Sequence, residues 1–135
     1  MVGVREKVIE ILRKFDSMSP RDKRLFLQPT FKIRFFLDVH ACLDALLTKA
    51  QNDLAHGRLD AKEIMLRSHQ CLIRIDVDES KLLISQGVAE IMRMIVREVM
   101  SRSMSNTLAI EDVLDLKTLL ENISGLVQIF GIETG

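Results

Sequence analysis

The chain has 135 residues, 47% of them apolar and 28% charged, with a formal net charge of zero. That is one domain's length with enough apolar content for a core, which excludes a disordered chain. Charges interrupt every apolar stripe, so no run approaches the ~18 residues of a membrane span.

The first expected helix runs from Val2 to Phe15, with Val4, Val8, Ile11, Leu12 and Phe15 on its apolar face. Asp16 to Pro20 ends it. Ser19 is placed to cap a second, short helix, with Pro20 in its first turn. Pro29 stops that helix, and Thr30 reads as a fresh cap. A long helix is expected from Phe31 to His56, with the stripe Phe35, Val39, Leu43, Leu46, Ala50 and Leu54, closed by a left-handed Gly57. Asp60 to Glu63 has the form of a capping box opening the next helix. Residues 76–80 are expected as an acidic turn before a helix from Lys81 to Met104. That helix carries Ile84, Val88, Ile91, Ile95 and Val99, and is apolar on more than one side. Ser105 to Thr107 breaks it. The last helix, Leu108 to Phe130, carries Val113, Leu116, Leu120, Ile123, Val127 and Phe130 at alternating spacings of three and four.

Stripes of this kind must be buried against one another. The expected fold is all-α: an antiparallel helical bundle of four principal helices plus a short N-terminal helix. It forms one domain over 1–135, with a basic N-terminal helical arm at 1–30 and the bundle body at 31–130.

Catalytic equipment is scarce. His40, His56 and His69 share no Glu-x-x-His spacing, and there is no nucleophile elbow and no phosphate-cradling glycine loop. Cys42 and Cys71 lack metal-ligand spacing and read as buried, reduced thiols. A Cys42–His69 pair on neighbouring helices is set aside, because Cys42 adjoins Leu43 rather than an electropositive setting. The expectation is a non-enzyme with no catalytic residues, no metal and no cofactor. Cysteine usage and the charged N-terminus (Arg5, Glu6, Lys7, Glu10) point to the cytoplasm.

Charge is unevenly spread. Residues 1–36 hold nine Lys and Arg against four Asp and Glu, a net +5, leaving −5 for the rest. Five of the six Phe residues lie between positions 15 and 36, interleaved with Arg21, Lys23, Arg24, Lys32 and Arg34. Three readings follow. The rings anchor a helix corner in the core; or the segment docks an acidic, amphipathic protein; or its charges meet phosphates while the rings stack on bases. A pI near 6.8 weighs against a dedicated nucleic-acid binder.

The order of features over residues 35–130 resembles the flagellin export chaperone family, FliS. The matching stretches are Lys49-Ala50 through Gly57-Arg58, Leu72 to Asp76, Ile91 to Met104, and Ile110 to Leu114 with Leu119-Leu120; Ser19-Pro20 adds to them. The family's tyrosines and closing Trp have no counterpart here. The resemblance implies a small cytosolic chaperone or adaptor that wraps a helical or disordered segment of a partner, such as a secreted filament subunit. Apolar residues of the last two helices would form its groove: Met92, Val96, Met100, Val113, Leu116 and Leu120. The alternative is a nucleic-acid-binding or regulatory bundle using the basic arm. A third reading is a homo-oligomer.

Overall fold

Short polar side chains set where the helices begin. The computed structural model describes residues 3–28 and 33–130. Among them it has six helices and no strand: α1 (Val4–Ser17), α2 (Pro20–Phe26), α3 (Ile33–Ala55), α4 (Ala61–Ser80), α5 (Gln86–Met104) and α6 (Ile110–Phe130). Ser19 Oγ accepts the Asp22 N–H at 3.1 Å, and Pro20 opens α2. Asp60 Oδ1 accepts the Glu63 N–H at 3.2 Å, and Ser85 Oγ accepts the Val88 N–H at 3.2 Å. The capping box at 60–63 closes on one side only. Glu63 turns instead to Arg67 at 3.0 Å, and Asp53 Oδ2 accepts the Asp60 N–H at 3.0 Å. The stop at Pro29, the cap at Thr30 and the helix start at Phe31 lie outside the described residues.

The ends of α3, α4 and α5 share one device. An N–H two residues past the cap reaches back five residues, over a left-handed residue. Arg58 N–H donates to Asp53 O at 3.1 Å across Gly57 (φ 77), and Thr107 N–H to Arg102 O at 2.8 Å across Asn106 (φ 56). Leu83 N–H donates to Asp78 O at 2.9 Å across Leu82, whose φ is 57. A branched side chain there costs about 1–2 kcal/mol. Residues 76–80 are therefore not a turn but the last turn of α4, and α5 begins at Gln86 rather than Lys81. The acidic residues are held by side chains instead of a helix N-terminus. Arg93 of α5 binds Asp76 at 2.9 Å and Glu79 at 2.6 Å, and Asp78, buried, pairs with Arg74 at 3.5 Å.

The stripes meet as a helical bundle. α3 packs on α4 and α6, α4 on α5, and α1 on α6, while α2 touches α5 and α6. Ion pairs and hydrogen bonds give the directions. Asp53 meets Asp60, and Asp38 meets Arg74, so α3 and α4 run oppositely. Thr48 meets Lys117 and His40 meets Glu121, so α3 and α6 do too. Val113, Leu116, Leu119, Leu120, Ile123 and Val127 of α6 are wholly buried. At roughly 1.5–3 kcal/mol for each such side chain, this burial is the dominant stabilising term.

The N-terminal region forms the two helices expected along the chain, and Val4, Val8, Phe15 and Leu27 belong to the same core as the long helices. Arg5 reaches Asp115 of α6 at 3.2 Å, and Lys7 pairs with Glu98 of α5. Among the described residues, no helix is long and apolar enough to cross a membrane.

Candidate functional site

The expected groove on the last two helices is closed. Met92, Val96, Val113, Leu116 and Leu120 are wholly buried, and Met100 is half-buried against the same core. The apolar faces of α5 and α6 are taken up largely by α3, α4 and α1, so five of the six pack the interior and only Met100 keeps some exposed surface.

The basic segment lies differently. Phe26 fastens α2 to the bundle. Its ring meets Phe15 edge-on with centroids 5.5 Å apart, and it covers Gly87 so closely that an added Cβ would lie 2.5 Å from Phe26 Cε2. Leu27 is buried just behind. This fastening turns the basic side of α2 over the C-terminal end of α6. Lys23 Nζ stands 5.6 Å from the Phe130 ring centroid, and the Arg24 guanidinium carbon 5.8 Å. Both are cation–π distances, which favour positive charge over the ring face.

Beneath them opens a cleft of about 370 Å³, lined by Phe15, Asp16, Lys23, Glu121, Asn122, Gly125, Leu126, Ile129 and Phe130. Its apolar part is open to solvent at Ile129, which is 74% exposed. Gly125 has no close neighbour where a Cβ would sit, so it leaves room in the cleft rather than admitting another helix. The cleft thus joins apolar side chains to the Lys23 ammonium, and the carboxylates of Asp16 and Glu121 line it as well.

The other basic residues do not gather there. Arg21 is exposed, Arg34 is exposed and stacks 4.9 Å over the neighbouring Phe35 ring, and Lys32 lies outside the described residues. The phenylalanines are largely engaged. Phe15 and Phe36 are buried and Phe26 is pinned on Gly87, while Phe31 is outside the described residues. The rings serve as anchors more than as a free stacking platform.

Two clusters escaped the sequence reading. Glu98, buried between α1 and α5, accepts hydrogen bonds from Lys7 and from Arg102 at 3.0 Å. Burial pushes its pKa up, but the two cations outweigh that and hold it below the usual carboxylate range. Only the Glu98–Arg102 half, one helical turn apart, was visible in the chain. The second cluster is Cys42 with Cys71, free thiols set opposite one another across the α3–α4 seam. The histidines stay apart. His40 Nε2 is buried 3.3 Å from Glu121 Oε1, off the line of a hydrogen bond, while His56 Nδ1 lies 2.7 Å from the Asn52 carbonyl. Among the described residues, no three His, Cys, Asp or Glu side chains converge in a way that would hold a metal ion.

A separate apolar row lies on the outer face of α4, where Leu66, Ile73 and Val77 are all exposed. No protein-family model, curated protein or solved structure matches this chain, so its site is read from its own geometry.

Proposed function

We propose that this protein is a non-enzymatic interaction module: a cytoplasmic chaperone or adaptor that holds a helical or disordered segment of a partner protein. The observation that carries the reading is the placement of Lys23 and Arg24 over Phe130, at an open cleft whose apolar side chains include Ile129 and Leu126. An acidic, amphipathic segment fits such a surface. Its apolar side chains would fill the cleft, and its carboxylates would meet Lys23 and Arg24. The frame is the four long helices, read as an antiparallel bundle. The resemblance to flagellin export chaperones supports a secreted filament subunit as the concrete client. The buried state of the α5–α6 faces moves the proposed contact from that seam to the α1–α2–α6 end.

The test uses two fluorescein-labelled amphipathic peptides of equal hydrophobicity, one acidic and one basic, read by anisotropy. The acidic peptide should bind, lose affinity with added salt, and lose about tenfold, ~1.4 kcal/mol, with the double change K23E/R24E. Equal binding of both peptides, or an unchanged affinity in the variant, defeats the proposal. Selective binding of a nucleic-acid oligomer at the same lysine and arginine would instead promote the basic-arm alternative. The α4 row favours self-association as a second reading. In that case Leu66→Glu with Ile73→Glu should convert a sedimenting dimer to monomer.

A further inference from the structure

Cys42 and Cys71 stand 29 positions apart in sequence, on helices that run oppositely around the 56–60 turn. The Asp53–Asp60 and Asp38–Arg74 contacts fix the register on either side, and that register sets residue 42 of α3 opposite residue 71 of α4. The two thiols face each other across the seam closely enough to shift one another's titration. Both are free, Cys71 wholly buried and Cys42 half-buried. Cys42 has exposed Ala41 and Ala45 as neighbours on its helix, and such small side chains give little cover. Arg67 and Arg74 lie one turn to either side of Cys71 and act on Cys42 electrostatically, although Glu63 and the pair Asp38 and Asp78 hold their heads. The Cys71 thiol, against the cost of burial and with help from Arg74 and Arg67, brings the Cys42 thiol down to about 7. Cys71 is pushed up by Cys42 and by burial. One sulfur is thus an accessible thiolate near neutral pH, and its neighbour is a protonated, shielded thiol.

We propose that Cys42 and Cys71 are a peroxide-reactive dithiol, in which Cys42 attacks a hydroperoxide and Cys71 resolves the product to a disulfide stapling α3 to α4. In the first step the Cys42 thiolate attacks one peroxide oxygen. An S–O bond forms, the O–O bond breaks, and hydroxide (or alkoxide) leaves. Sulfur is oxidised by two electrons and the peroxide reduced by two. In the second step Cys71 sulfur attacks Cys42 sulfur. The S–O bond breaks, and the Cys71 proton leaves with the departing hydroxide as water. Forming the bond brings the two sulfurs to ~2.05 Å.

The experiment treats the full folded chain with hydrogen peroxide at neutral pH, blocks remaining thiols with maleimide, and reads intact mass and a non-reducing peptide map. The expected product is 42–71 cross-linked monomer, with both thiols lost together. In Cys71→Ala, Cys42 should stop at a dimedone-trappable sulfenic acid. In Cys42→Ala, Cys71 should stay reduced. A variant-free check is native alkylation, in which Cys42 should react at least about tenfold faster than Cys71. Retention of both thiols at a peroxide dose that oxidises free cysteine overturns the proposal. So does equal reactivity of the two, or a product joined only between chains.

Discussion

Replacing Gly87 by alanine asks whether the seat of α2, and with it the placement of Lys23 and Arg24, depends on the missing side chain. Gly87 lies in the first turn of α5, two positions after the Ser85 cap. An alanine Cβ there would stand 2.5, 2.8 and 3.1 Å from three carbons of the Phe26 ring. Carbon atoms pack at roughly 3.5–4.0 Å, so the ring must retreat by about 1 Å. Its movement is constrained, because the ring also meets Phe15 edge-on. Overpacking of this kind costs about 1–3 kcal/mol, while alanine in place of glycine in a helix returns up to about 1 kcal/mol, less in the first turn. The net expectation is a loss of about 0.5–2 kcal/mol. For a domain of this size that lowers Tm by roughly 2–8 °C. Urea denaturation followed by circular dichroism gives the stability, and amide exchange should show α2 loosening while α3 and α4 stay protected. In a Phe26→Ala background the same Gly87→Ala change should be neutral or mildly stabilising, a coupling of about 1–2 kcal/mol. If Gly87→Ala alone matches or exceeds the parent in stability, or costs the same without the Phe26 ring, the account of how α2 is seated is wrong.

Three further expectations rest on separate features. Glu98 has a depressed pKa in the fold, so its contribution is complete above the unfolded carboxylate value of about 4.3 and disappears as pH falls through the lower folded value. Glu98→Gln should therefore flatten the acid limb of a stability–pH profile below the ordinary carboxylate range, and parallel profiles for the two proteins would contradict the Lys7–Glu98–Arg102 assignment. Leu82→Gly should relieve the left-handed strain at an exposed position, raising stability by about 0.5–1 kcal/mol in chemical denaturation; a loss would mean that the side chain makes a contact worth more than the strain. Leu116→Ala, at a wholly buried site on α6, should cost about 2–5 kcal/mol with circular dichroism still helical, whereas a cost near zero would place Leu116 on an open face after all.

Helix positions were the legible part of the chain, because they depend on interactions within a few residues. Stripes at three-and-four spacing, Ser19 before Pro20, Asp60 before Glu63 and Gly57 past the end of α3 each act locally, and each is found where expected. The errors fall where a distant residue overrules local preference. Residues 76–80 look like a turn until Arg93, from the next helix, binds Asp76 and Glu79 and carries α4 onward. Leu82 has the wrong side chain for a left-handed position, so its role as a helix terminus carried no signal.

The candidate site was legible in composition and not in place. That Phe and positive charge concentrate before residue 37 is a property of the sequence. That Lys23 and Arg24 stand over Phe130, more than a hundred residues away, follows from α2 docking on the end of α6. An apolar stripe announces only that a face will be covered. Periodicity made Met92, Val96, Val113, Leu116 and Leu120 apolar, and packing alone made them core instead of groove. The Cys42–Cys71 pair has the same origin. The chain by itself determined an all-helical fold, the Ser19, Asp60 and Gly57 helix ends and the apolar sides, since hydrogen bonding and side-chain period act over a few residues. The tertiary structure decided which sides face one another and which polar groups meet, because burial is a property of the assembled bundle and no single helix carries it.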